Sequence, residues 1–158
     1  MKHFTGILFL LLLCFSCTPV HDAPLEQALT LAGDNRKELQ QVLGHYEGDS
    51  LKHKAACFLI ENMIGKGTIR YLLRESDSCY IQQEPEPDLT CITADYLIEN
   101  IDLAFEVWQK YPWCKQLSFR EFCRNILPYR LKQETLDRWR SYYYTRYKMT
   151  VDSLARAG

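Results

Sequence analysis

The stretch Ala94–Tyr111, ADYLIENIDLAFEVWQKY, decides the fold class. Leu97, Ile101, Ala104, Phe105 and Trp108 recur at three- and four-residue spacing, which places them on one face of a helix and leaves acids and Lys110 on the other. Pro112 follows directly and ends the pattern, because proline offers no backbone donor and clashes with the preceding turn. Working outward from it, Ser118 and Glu121 make an S-x-x-E capping box in front of FREFCRNIL, which Pro128 interrupts. Glu134 to about Ala155 then reads as a long last helix, with Leu136, Trp139, Tyr143 and Tyr147 along one side.

Upstream the pattern is again helical. Leu25 to Ala32 is a short run ending at Gly33, and Asp34 or Asn35 can cap RKELQQVLGHYE. Asp49-Ser50 opens LKHKAACFLIENMI, in which Ala55, Leu59 and Met63 share a face before Gly65 and Gly67 stop it. Between about 65 and 93 the periodicity fails: IRYLLRES suits a short helix or a strand, and QQEPEPDLT reads as a loop. The expected fold is all-α, an irregular bundle of about five to six helices over residues 25–158. The pentapeptides FLIEN (Phe58–Asn62) and YLIEN (Tyr96–Asn100) echo one another, but no third copy exists to stack into a solenoid.

The first residues speak to location. MKHFTGILFLLLLCFSC has a basic start and an apolar run from Phe4 to Phe15, then small Ser16 before Cys17. That run is too short for ~30 Å of hydrocarbon, which needs ~20 residues. The Ser-Cys ending resembles a bacterial lipobox, so residues 1–16 read as a lipoprotein signal peptide, Cys17 as the lipidated residue and 17–24 as a tether. The expected setting is the cell envelope, with the chain held to a membrane by that anchor.

Composition narrows the chemistry. The formal net charge is −1, so nothing in bulk electrostatics argues for nucleic acid. Beyond Cys17 stand Cys57, Cys79, Cys91, Cys114 and Cys123, an odd number that forbids a complete disulfide framework. Cys57 and Cys123 lie in apolar helical patterns, as small buried hydrophobes do, whereas Cys79 and Cys91 flank a loop and could pair. The mature chain's histidines, His21, His45 and His53, lack metal-pair spacing, so neither metal nor cofactor is expected. No nucleophile elbow, phosphate loop or dinucleotide fingerprint is present in the sequence. Glu61 and Glu99 read as the polar edges of their helices. The surface candidate is WRSYYYTRYK, since Trp, Tyr and Arg dominate binding hot spots. Two readings of it stand. Either Trp139, Tyr143 and Tyr147 are core, or the face with Arg140, Tyr142, Tyr143 and Tyr144 contacts a partner, because three adjacent tyrosines cannot all face one core.

FLIENM, YLIENIDLAFEVWQKYPWCKQLSFREFCRNILPYR and ETLDRWRSYYY together resemble the N-terminal region of transglutaminase-like lipoproteins common in Bacteroidota. The resemblance covers roughly Leu25 to Tyr147. It implies a helical region preceding a catalytic domain that works through a cysteine, a histidine and an aspartate in that chain order. No triad residue carries over, because no histidine follows His53. The expectation is a non-catalytic accessory or interaction domain, a truncated form of such a protein. The alternatives are a stand-alone protein-binding lipoprotein and the front of an active enzyme whose catalytic domain lies beyond residue 158.

Overall fold

The computed structural model describes residues 23–74, 80–131 and 135–157. The signal segment, Cys17, most of the tether and Cys79 lie outside the described residues. Seven α-helices and one two-stranded sheet are found among the described residues. They are α1 (Ala23–Leu31), α2 (Arg36–His45), α3 (Ser50–Glu61), β1 (Gly67–Arg74), β2 (Tyr80–Pro87), α4 (Ala94–Lys110), α5 (Pro112–Lys115), α6 (Phe119–Asn125) and α7 (Trp139–Ala157).

The core is organised on α4. Leu97, Ile101, Ala104 and Phe105 are buried, and Phe105 packs edge-on to Phe122 of α6. Trp108 stacks on Phe122 at 4.3 Å between ring centroids, and its indole donates to the Leu117 carbonyl. From α1, α2 and α3 come Ala28, Leu29, Leu39, Val42, Ala55, Leu59 and Ile60, all buried. Helix starts follow their caps. Asp49 accepts from the amides of Leu51 and Lys52, Thr93 accepts from that of Tyr96, and Ser118 with Glu121 completes the capping box. Asn35 departs from expectation. Its side chain caps nothing and instead donates to the carbonyls of Leu89 and Ile92, tying the α1–α2 corner to the chain that leads into α4. Pro112 also does more than stop α4, since it begins the single turn of α5 at a position where its missing donor costs nothing.

The all-α expectation needs correction in the segment expected to be a loop. The fold is mostly helical, but β1 and β2 form an antiparallel hairpin with Gly67 opposite Pro87, Tyr71 opposite Gln83 and Leu73 opposite Ile81. Asp88 donates its amide to the Lys66 carbonyl at 3.0 Å, which extends the same register by one pair. Gly65, with φ +78°, makes the turn from α3 that a side chain would resist. A Cβ on Gly67 would meet the Glu86 carbonyl oxygen at 2.7 Å, so only glycine lets the two strands close here.

A buried ion pair fastens the hairpin's base. Asp88 is fully buried, and its Oδ2 lies 2.9 Å from Nε of Arg130 and 2.7 Å from the Tyr129 hydroxyl, which donates to it. The other end of the guanidinium reaches β1, donating to the Gly67 carbonyl at 2.7 Å and the Thr68 hydroxyl at 3.0 Å.

Candidate interaction face of the last helix

Helix α7 is 19 residues long and none of them is buried. It is held to the body by a polar stripe with four-residue spacing. Arg140 donates to the Asn100 side chain at 2.8 Å and to the carbonyls of Ile126 and Pro128, so one guanidinium satisfies the chain end left open after α6. Tyr144 donates to Glu106, Lys148 pairs with Glu106 at 3.7 Å, and Asp152 pairs with Lys110 and accepts from Tyr111 at 2.8 Å. Desolvation drives the Arg140 guanidinium down to about 10. The Lys110 and Tyr111 hydrogen bonds hold the Asp152 carboxyl below its ordinary value. At the helix start the Trp139 indole donates to the Tyr129 carbonyl, with the Arg140 guanidinium over its ring.

Opposite this stripe the helix is open. Tyr142, Tyr143 and Tyr147 are 56%, 49% and 47% exposed. Tyr143 stacks on Tyr147 with 6.0 Å between centroids, and Tyr142 meets Tyr143 edge-on at 5.1 Å. Arg146 sits over the rings of both Tyr142 and Tyr147 and donates to the Tyr142 hydroxyl at 2.9 Å. Three rings and a guanidinium are thus ordered against one another without being buried, which lowers the entropy lost when a partner covers them.

The four residues singled out from the sequence therefore divide. Tyr142 and Tyr143 lie on the open face, whereas Arg140 and Tyr144 turn toward α4. The reading of Tyr143 and Tyr147 as core is corrected: both are about half exposed, because α7 docks through the 140–144–148–152 line instead. Arg146, which completes the aromatic row, lies within WRSYYYTRYK but outside the four residues singled out from it. An arginine four residues after one tyrosine and one before another was the available signal.

The cysteines are placed unevenly. Cys114 and Cys123 are buried thiols, and burial pushes Cys123 up to about 11. Cys91 is exposed, and its thiol is raised first by desolvation and then by Asp88; its suggested partner Cys79 lies outside the described residues. Cys57 and His53 are brought together by one helical turn, with Sγ 3.7 Å from Nδ1. Chain order disfavours a cysteine followed by its base, but it does not bear on a histidine one turn upstream. The His53 backbone amide donates to the Asp49 carbonyl at 2.8 Å, an ordinary contact at the start of α3. No group of three or more potential metal ligands occurs among the described residues, and no described helix is long and apolar enough to cross a membrane. Sequence reasoning missed Asp88, Tyr129 and Arg130, which no motif marks.

No family model, curated protein or solved structure matches this chain.

Proposed function

We propose that this chain is a non-catalytic accessory domain of a transglutaminase-like envelope lipoprotein. It is anchored through Cys17, and the open face of α7 receives a protein partner, in this reading the transglutaminase-like catalytic domain. The observation that carries the proposal is the construction of α7. A helix of 19 residues with none buried, fastened by hydrogen bonds along one line, leaves Tyr142, Tyr143, Tyr147 and Arg146 as an ordered aromatic and cationic row. Tyr and Arg are the residue types that concentrate binding energy when covered. The family assignment rests on the resemblance of residues 25–147 and the anchor on the Ser16-Cys17 ending.

The test has two parts. Intact mass of the native protein, extracted from its host's membranes, is expected to show acyl chains on Cys17; an unmodified Met1 terminus would remove the anchor. A photo-crosslinking residue at exposed position 150, two turns on from Tyr143, is expected to capture a transglutaminase-like domain, either on a second polypeptide or within a longer form of this chain. Replacing Tyr142, Tyr143 and Tyr147 by serine should abolish that capture and leave the helical circular dichroism unchanged. Capture unaffected by the triple substitution would refute the face.

A further inference from the structure

The hairpin presents its apolar side to solvent. Ile69, Tyr71, Leu73 and Ile81 are 43%, 64%, 65% and 67% exposed, and the register puts them on one face of the sheet with Pro85. Each strand also has an outer edge, and the two edges are not equivalent. The Asp88 amide bonded to the Lys66 carbonyl identifies the even-numbered β1 positions as those bonded to β2. Odd-numbered positions therefore direct their backbone groups outward on both strands. On β2 these include Pro85 and Pro87, which have no N–H to offer, and prolines so placed blunt an edge. On β1 they are Gly67, whose carbonyl Arg130 already occupies, and then Ile69, Tyr71 and Leu73. These three make no backbone hydrogen bond beyond the hairpin among the described residues.

We propose that the β1 edge is a self-association site, where β1 of a second copy adds antiparallel to form a four-stranded sheet ordered β2–β1–β1–β2. Charge and strand length select the register. Outward-facing residues must oppose one another, so the neighbouring registers differ by two residues. Centring the pair on residue 70 sets Arg70 against Arg70 of the second copy. Like charges directly opposite are destabilising. Centring the pair on residue 72 sets Ile69 opposite a position beyond the end of β1, so its outward groups gain no strand partner. Centring on Tyr71 avoids both: Tyr71 opposes itself, Ile69 opposes Leu73, and Arg70 opposes Leu72. That arrangement is two-fold symmetric and closes at a dimer, because the proline-bearing β2 edges end the sheet on each side. With three outward residues per strand the contact is short, and half-association falls at about 10–100 μM.

The test uses the full chain in density-matched detergent, followed by sedimentation equilibrium. Wild-type protein should pass from monomer to dimer over that range. Tyr71→Lys and Tyr71→Glu each place like charges together at the two-fold, so each alone should associate at least ten-fold more weakly. Mixing the two should restore a heterodimer to wild-type strength or better. Tyr71 is largely exposed, so neither change threatens folding, and restoration in the mixture shows that both variants are folded. Replacing Tyr142, Tyr143 and Tyr147 by serine should leave this dimer unchanged, which separates it from the α7 face. A wild-type chain that stays monomeric to about 500 μM, or a dimer indifferent to both Tyr71 variants, would overturn the proposal.

Discussion

Asp88 and Arg130 show what one buried pair demands of its surroundings. The carboxylate is fully buried, its Oδ1 has no hydrogen-bond partner among the described residues, and the guanidinium beside it is 6% exposed. Two ions removed from water cost more than their attraction returns unless further hydrogen bonds help, which here come from Tyr129, Gly67 and Thr68. Removing one partner strands the other. Asp88→Ala or Arg130→Ala should each lower stability by about 3–5 kcal/mol in urea unfolding, with the hairpin loosened first. The double variant should cost well under the sum of the two, since neither charge is then left alone. Additive losses would mean that the pair does not act as a unit.

At the scale of the element, α7 depends on polar contacts that pH can break. Asp152 is held below its ordinary value by its bonds to Lys110 and Tyr111. A carboxyl with a depressed folded-state value contributes stability that is complete above its unfolded value and is lost as pH falls through the folded one. Lys110 is raised by the same bond, so its contribution is present below its unfolded value and fades as pH rises through the folded one. The far half of α7 should therefore be best docked between the carboxylate and lysine ranges and should loosen at acid pH before the core does. Amide exchange at Tyr147–Ala157, compared with Ala94–Lys110 across that acid range, measures this directly. Equal acid sensitivity in the two helices would contradict it. Helix α4 needs no such bonds, because its periodic apolar face is buried along its length.

Across the whole molecule the apolar core is concentrated where α4, α3, α2 and α6 meet, while α7 and the hairpin residues whose burial is described contribute no buried residue. Local opening follows burial. Amides of Leu97–Phe105 should exchange only through global unfolding, whereas those of β1, β2 and Tyr142–Ala157 should exchange through openings of much lower free energy. Protection of α7 equal to that of α4 in the isolated monomer would refute this hierarchy. What could be read from the chain divides along the same line. Periodicity at Leu97, Ile101, Ala104 and Phe105, the Asp49 and Thr93 caps and the Ser118–Glu121 box are local relations between residues three or four apart. They state their own structure. The prolines of QQEPEP looked like a loop, because their alternation acquires meaning only when Thr68 to Leu72 lie alongside. The face of α7 was similarly undetermined, since Tyr143 and Tyr147 suit a core as well as a surface. Arg140, Tyr144 and Asp152 choose the docking side only once Asn100, Glu106 and Lys110 are near. By itself the sequence determined the helices, their caps and the apolar faces that make the core, through interactions spanning a single turn. Tertiary structure alone decided the hairpin, the Asp88–Arg130 clasp and the orientation of the last helix, because each joins groups well beyond one helical turn apart, whose pairing no local spacing encodes.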